Sequence, residues 1–117
     1  MTNKVSFEGI GQTAATFFAA DGVKAGAVVK LSGDAKVAPC AAGERFCGVA
    51  TTGAEGGCAG VQAAGFAAVP CADSTVTVGW GKLTADGSGG VKKAGTGDKG
   101  REYLVAACGG GSVTIKM

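Results

Sequence analysis

The residue types that carry most protein chemistry are sparse in this sequence of 117 residues. It contains no histidine, the commonest general base and the imidazole ligand of metal sites, so Ser-His-Asp, Cys-His and His-zinc chemistry are excluded. Most aspartates lie beside glycine or serine, where turn formation explains them without catalysis. They are Asp21, Asp34, Asp73, Asp86 and Asp98. The composition favours a non-enzymatic protein without a cofactor or metal.

The five cysteines are odd in number and include no C-x-x-C pair, so they indicate neither a redox dithiol nor a zinc ribbon. They are Cys40, Cys47, Cys58, Cys71 and Cys108. We interpret them as small, mostly buried apolar residues of a protein in a reducing cytosol. A disulfide framework is the alternative, and it would leave one thiol unpaired.

One glycine-rich segment, Gly95 to Gly100, literally matches the dinucleotide-binding pattern G-x-G-x-x-G. That pattern works at the N-terminus of a helix that follows a buried strand, where the glycines let the backbone approach a pyrophosphate. Here the residues that follow, Arg101 to Cys108, have the pattern of a strand. The segment is therefore predicted to be an exposed hairpin loop.

Four basic residues near this loop form a candidate basic edge: Lys92, Lys93, Lys99 and Arg101. Because the net charge is only +2, we expect neither nucleic acid nor an anionic membrane as a partner. The four charges are predicted to solubilise an exposed hairpin and to block edge-to-edge strand pairing, with an RNA-binding patch as the alternative. No stretch approaches the roughly 20 apolar residues that cross a bilayer.

The elements that must position these residues are predicted to be short strands. Glycine (23 residues) and alanine (22) leave little bulk for a core, which suggests a subunit that gains further apolar contact by assembly. Short β-branched segments recur every 8 to 12 residues or so between Gly/Asp turns, the pattern of a small sandwich or barrel. We predict a mainly β, single-domain β-sandwich or partly open barrel with at most one short helix.

Several strands can be placed individually. Val28 to Leu31 and Lys36 to Ala38 are predicted to pair as a hairpin, Asp86-Gly87 to form a turn, and Val91 to Ala94 and Glu102 to Cys108 to be strands. After the turn Gly109 to Gly111, the strand Ser112 to Met117 has Val113, Ile115 and Met117 on one face. Thr75 to Trp80 alternates cleanly and predicts a strand with Val76, Val78 and Trp80 on one face, and Trp80 and Tyr103 alternate like core residues.

Two regions are less determined by the sequence. Ala54 to Ala68 is compatible with a short helix or with two poor strands, because alanine favours a helix and the glycines oppose it. Residues 1–20 are predicted to be an N-terminal arm that orders on binding, followed by a β-rich domain over residues 21–117.

Two stretches resemble the small decoration, or cement, proteins of tailed-bacteriophage capsids. The first is Gly22-Val-Lys-Ala-Gly-Ala-Val-Val-Lys-Leu31, followed by Val37 and by Gly43-Glu-Arg-Phe-Cys-Gly-Val-Ala50. The second is Trp80-Gly-Lys-Leu-Thr-Ala-Asp-Gly87 with Gly90-Val-Lys92, Tyr103-Leu-Val-Ala-Ala107 and Val113-Thr-Ile-Lys116. The resemblance covers most of residues 22–117 and rests on structural rather than catalytic motifs.

The resemblance implies a β-rich protein that binds the major capsid protein on the outside of the expanded head and reinforces it against internal DNA pressure. It also implies a homotrimer around local threefold positions, assembly in the bacterial cytoplasm and a final location on the virion exterior. The arm of such a protein orders on the capsid, and Val5, Phe7 and Ile10 are its predicted apolar anchors. An alternative is a β-sandwich recognition module that binds a glycan or receptor at an aromatic-lined site.

Overall fold

Ten strands and no helix are found in residues 11–117, the part of the chain that the computed structural model describes. Consequently, no helix in this part of the chain is long and apolar enough to span a bilayer. In chain order the strands are β1 (Thr13–Ala19), β2 (Val28–Gly33), β3 (Lys36–Pro39), β4 (Gly48–Ala50), β5 (Cys58–Ala64), β6 (Phe66–Pro70), β7 (Gly79–Ala85), β8 (Val91–Lys93), β9 (Arg101–Gly109) and β10 (Ser112–Lys116).

The first five strands close into a barrel in the order β1-β3-β2-β4-β5. Closure comes from β1, which pairs antiparallel with β5 and parallel with β3. The barrel interior is small, so valine and alanine fill it without strain. Its buried residues are Val23, Val29, Val37, Ala50, Ala59 and Val61.

The other five strands form an open sheet in the order β6-β10-β9-β7-β8, and a second core lies between this sheet and the barrel wall. Val28 and Val29 show how the two cores divide, because adjacent strand residues point to opposite faces. Val28 belongs to the core against the open sheet, and Val29 to the barrel interior. The open sheet contributes Leu83, Tyr103 and Ile115, among others, to the shared core.

The predicted fold class is confirmed: residues 11–117 are all-β, with one closed barrel and one open sheet. β2 and β3 form the predicted hairpin, and β8, β9 and β10 lie where strands were expected. The chain turns after Asp86, whose N–H donates to the Gly90 carbonyl at 3.1 Å. Val113 and Ile115 are buried together, as their alternation predicted.

The prediction that Thr75 to Trp80 forms a strand with Trp80 in the core is wrong. β7 begins only at Gly79, and the Trp80 side chain is 71% exposed. The neighbouring strand gives the physical reason: Gly81 is the register partner of Tyr103, which is buried, so Gly81 lies on the core face of β7. The core face of β7 therefore carries the glycines, and Trp80 takes the outer face.

The alanine-rich segment left open by the sequence forms two strands, β5 and β6. They meet at Gly65, which has a φ of +91°, a conformation that glycine adopts without strain. The Gln62 side chain brackets this turn by donating to the carbonyls of Ala64 (3.0 Å) and Phe66 (2.8 Å). β1 lies within the range predicted as an arm, and in the structure it is part of the barrel.

The loop from Gly95 to Gly100 connects β8 to β9 and leads into a strand, as its sequence context indicated. It is not a hairpin loop, because β8 and β9 both pair with β7, which lies between them. Asp98 holds the loop closed by accepting the Gly95 N–H at 2.9 Å. Lys92 and Lys93 lie on β8, an edge strand of the open sheet, where charge opposes further pairing.

Candidate functional site

The outer face of the open sheet carries a row of four residues, one from each of four adjacent strands. Trp80 is the register partner of Leu104, Leu104 of Lys116, and Lys116 of Phe66. All three pairings are antiparallel, so these cross-strand partners lie on the same face of the sheet. We call this row, together with Val78, the Trp80 face.

The Trp80 face combines exposed apolar side chains with Lys116 and, next along β7 and β9, with the exposed pair Lys82 and Glu102. Val78 is 66% exposed, although a side chain of this size gains free energy by leaving water. Leu104 and Phe66 are half-buried, and Lys116 is exposed. Contiguous exposed apolar surface rimmed by polar groups marks protein interaction sites, and tryptophan is enriched among the residues that dominate binding energy.

A short loop before β7 holds Val78 beside this face. Asp73 accepts hydrogen bonds from the Thr75 N–H (2.9 Å) and hydroxyl (2.6 Å), and its other oxygen accepts the Lys93 N–H of β8 (3.0 Å). Val76 is buried and anchors the loop in the shared core. The Asp73 carboxylate therefore ties the loop to the edge of the sheet.

The start of the described chain lies at the rim of the same face. A Cβ placed on Gly65 would come within 2.9 Å of the Gly11 carbonyl carbon and 2.8 Å of the Gln12 Cα. Gly65 directly precedes Phe66, so the chain enters the fold next to the Trp80 face. The predicted anchors Val5, Phe7 and Ile10 lie outside the described residues.

All five cysteines are free thiols. They are not mostly buried, contrary to the prediction from the sequence: Cys40 and Cys71 are buried, Cys58 is half-buried, and Cys47 and Cys108 are exposed. Burial is the main cause that raises the pKa of the Cys40 thiol from 9.0 to about 11, and the charges of Glu44 and Cys47 add to it. Within residues 11–117 no group of three or more Cys, Asp or Glu side chains is arranged to hold a metal ion.

Cys40 is expected to be the thiol most protected from alkylation in the folded protein, because it is buried and its pKa is raised to about 11. At pH 8 iodoacetamide should label Cys108 first and Cys40 last, as measured by peptide mass spectrometry over time. In denaturant the five thiols should react at similar rates. Equal labelling of Cys40 and Cys108 in the folded protein would contradict the packing around Cys40.

One carboxylate joins the barrel to the loop between β3 and β4. Glu44 contacts Lys30 Nζ through both oxygens (2.7 and 2.8 Å) and also accepts the Ala41 N–H at 2.7 Å. These hydrogen bonds, chiefly the one from Lys30, lower the pKa of the Glu44 carboxyl below 4.5. The Asp73 pKa is likewise lowered from 3.8, first by the Thr75 hydroxyl.

Acid is expected to weaken the fold through these two carboxylates. A carboxyl group whose pKa is lowered by folding stabilises the protein above its unfolded pKa, and that contribution is lost as the pH falls through the folded value. For Glu44 the loss therefore begins below pH 4.5 or so. Below that pH, the Tm of Glu44→Gln should fall less steeply with decreasing pH than the Tm of the wild type. Glu55→Gln, which changes an exposed carboxylate, is the control and should follow the wild type. If the Tm of Glu44→Gln falls with pH as steeply as that of the wild type, Glu44 does not contribute to the acid sensitivity of the fold.

The sequence alone did not reveal the Trp80 face. Its signal was present in the glycines at positions 79 and 81, which leave no side chain on the other face of β7 on either side of Trp80. To assign these glycines to the core face, one has to know that β9 pairs with β7 and places Tyr103 opposite Gly81 in the register.

Comparison of the chain with protein-family models and with curated proteins finds no match.

Proposed function

We propose that this protein is a non-enzymatic capsid decoration protein of a tailed bacteriophage. It binds the major capsid protein on the outer surface of the expanded head and stabilises the shell against internal DNA pressure. The observation that carries the proposal is the Trp80 face, where a 71% exposed tryptophan lies in a row with Leu104 and Phe66. The sequence resemblance to decoration proteins supports the same conclusion.

The mechanism is mechanical rather than chemical. A protein of this size that covers joints between capsid subunits adds modest free energy per copy, and the effect is multiplied by the number of copies on the head. The exposed Trp80 ring is suited to this, because its burial would remove a large apolar area from water at small entropic cost. The proposal includes the homotrimer at local threefold positions that the resemblance implies.

The N-terminal segment belongs to the same proposal. Because the chain enters the fold beside Phe66, a segment anchored on the capsid by Val5, Phe7 and Ile10 would be continuous with the Trp80 face. Deletion of residues 2–10 is expected to lower capsid occupancy while leaving the circular dichroism spectrum of the domain unchanged. Full occupancy after this deletion would remove the three residues from the binding surface.

The proposed site of assembly is the reducing cytoplasm of the host, and the proposed final location is the virion exterior. Five free thiols, two of them exposed, fit a protein that reaches its partner without passing through an oxidising compartment.

The function itself can be tested by the stability of heads. Expanded heads of the cognate phage that lack a decoration protein should release DNA at a higher temperature after saturation with this protein. Dye fluorescence on heating measures that release, and bovine serum albumin at equal mass serves as the control. An unchanged release temperature at saturation would contradict the proposed function.

A glycan or receptor module is the second proposal, because an exposed tryptophan ring can also stack on a sugar. Binding of the purified protein to a glycan array, with competition by the free sugar, would favour this alternative. If the decoration proposal is correct, Trp80→Ala should give the same glycan-array signal as the wild type.

A further inference from the structure

A cleft separate from the Trp80 face lies between the barrel and the loop that precedes β9. Its volume is about 480 Å³. It is formed by three segments of the chain that are far apart in sequence: the middle of β2, the loop before β4, and the start of β9 with its preceding residues. The lining residues are Lys30, Leu31, Glu44, Arg45, Phe46, Cys47, Lys99 and Arg101.

The charges in this cleft do not balance. Lys30 and Glu44 neutralise each other at 2.7 Å, and Glu44 is further satisfied by the Ala41 N–H. Arg45, Lys99 and Arg101 form no ion pair with any carboxylate of residues 11–117. The cleft therefore carries an excess of three positive charges in a molecule whose net charge is only +2.

The backbone and rings around the cleft are fixed before any ligand arrives. The Lys99 N–H donates to the Gly43 carbonyl at 2.9 Å, which joins the two loops that carry the cations. Buried Thr84 reinforces this joint, with its hydroxyl oxygen 2.6 Å from the Lys99 carbonyl oxygen and 2.9 Å from that of Glu44. The Arg101 guanidinium lies over the Tyr103 ring, 5.2 Å from its centroid. Such preorganisation lowers the entropic cost of binding.

We propose that this cleft, the cationic cleft, binds the carboxylates of an acidic peptide segment from a partner protein. Three cations in one depression attract an anionic ligand, and arginine pairs with carboxylates through two parallel hydrogen bonds. The inference goes beyond the proposed function, because it concerns a second surface and holds whichever protein supplies the segment.

Two features favour carboxylates on a peptide over the phosphates of nucleic acid. The cations lie in one depression of about 480 Å³ rather than along an extended surface. Leu31, which lines the cleft, is 58% exposed and offers an apolar contact beside the charges. Nucleic acid affinity, in contrast, grows with the number of phosphates neutralised along an extended basic surface.

Titration of the full chain with a hexaglutamate peptide tests the proposal, with backbone amide NMR shifts as the readout. The expected shifts centre on residues 41–47 and 95–101, and the affinity falls as NaCl is raised. The triple variant Arg45→Gln/Lys99→Gln/Arg101→Gln is expected to bind at least about 10-fold more weakly. The matched control is Lys24→Gln/Lys36→Gln/Lys93→Gln, which removes the same charge elsewhere and should retain affinity within about 2-fold.

Glu44→Gln keeps the proposal testable if the triple variant folds poorly. It removes the internal carboxylate and releases Lys30, so hexaglutamate should bind more tightly than to the wild type. Three results would each overturn the proposal: shifts that do not centre on the cleft, equal weakening in the two triple variants, or tighter binding of a thymidine hexanucleotide than of hexaglutamate. None of these results bears on heads, so this inference and the decoration proposal fail independently.

Discussion

Trp80→Ala is expected to weaken binding to expanded heads by about 30-fold or more, the loss typical of a tryptophan that dominates an interface. The ring lies 71% exposed in the free protein, so its removal takes little from the fold itself. On the capsid the same ring would be buried against Leu104 and the partner surface, and truncation would forfeit that burial. Sedimentation of heads with labelled protein over a concentration series measures the change.

Phe18→Ala is the matched control for this experiment. Phe18 is also a large exposed aromatic residue (59%), but it lies on β1 of the barrel with Lys36 as its register partner. Its substitution should change head binding by less than about 3-fold, as expected for residues outside the energetic centre of an interface. Melting temperatures of both variants should match the wild type. Wild-type binding by Trp80→Ala would show that the Trp80 face is not the contact surface.

Gly48→Ala is expected to destabilise the fold by about 2 kcal/mol, because there is no room for a methyl group where β4 passes β5. A Cβ at this position would lie 2.6 Å from the Gln62 carbonyl oxygen and 2.7 Å from the Val61 Cγ1. The carbonyl belongs to the backbone of the barrel, so relief requires the strands to move apart. Urea unfolding followed by circular dichroism measures the loss.

Gly81→Ala provides the control for Gly48. It also lies in a strand, yet no atom approaches within 4 Å of the position of its Cβ. This substitution should leave the free energy of unfolding unchanged or slightly raised, since alanine reduces the freedom of the unfolded chain. Equal stability of the two variants would contradict the close packing of β4 against β5.

Local sequence pattern was sufficient to predict much of the open sheet and one hairpin of the barrel. β9 and β10 alternate with a period of two, and glycines between them mark the turn, so their faces could be assigned without knowledge of the rest of the fold. The β2–β3 hairpin could be predicted for the same reason. In each case the information lies within about 20 residues of chain.

Features that depend on distant parts of the chain could not be predicted. Barrel closure pairs Thr13 with Ala64, and no local pattern encodes a contact over that separation. The outward orientation of Trp80 follows from the pairing of its neighbour Gly81 with buried Tyr103 on β9, a strand distant in sequence. The cationic cleft adds Lys30 and Arg45, from distant parts of the chain, to Lys99 and Arg101, which the sequence had grouped in a basic edge.

The measurement that tests the central claim most directly is stoichiometric co-sedimentation of the purified protein with expanded empty heads of the cognate phage. Decoration predicts saturation at a fixed number of copies per major capsid subunit, with much weaker binding to unexpanded heads. Failure to co-sediment, or binding that rises without saturation and equally on both forms, would contradict it.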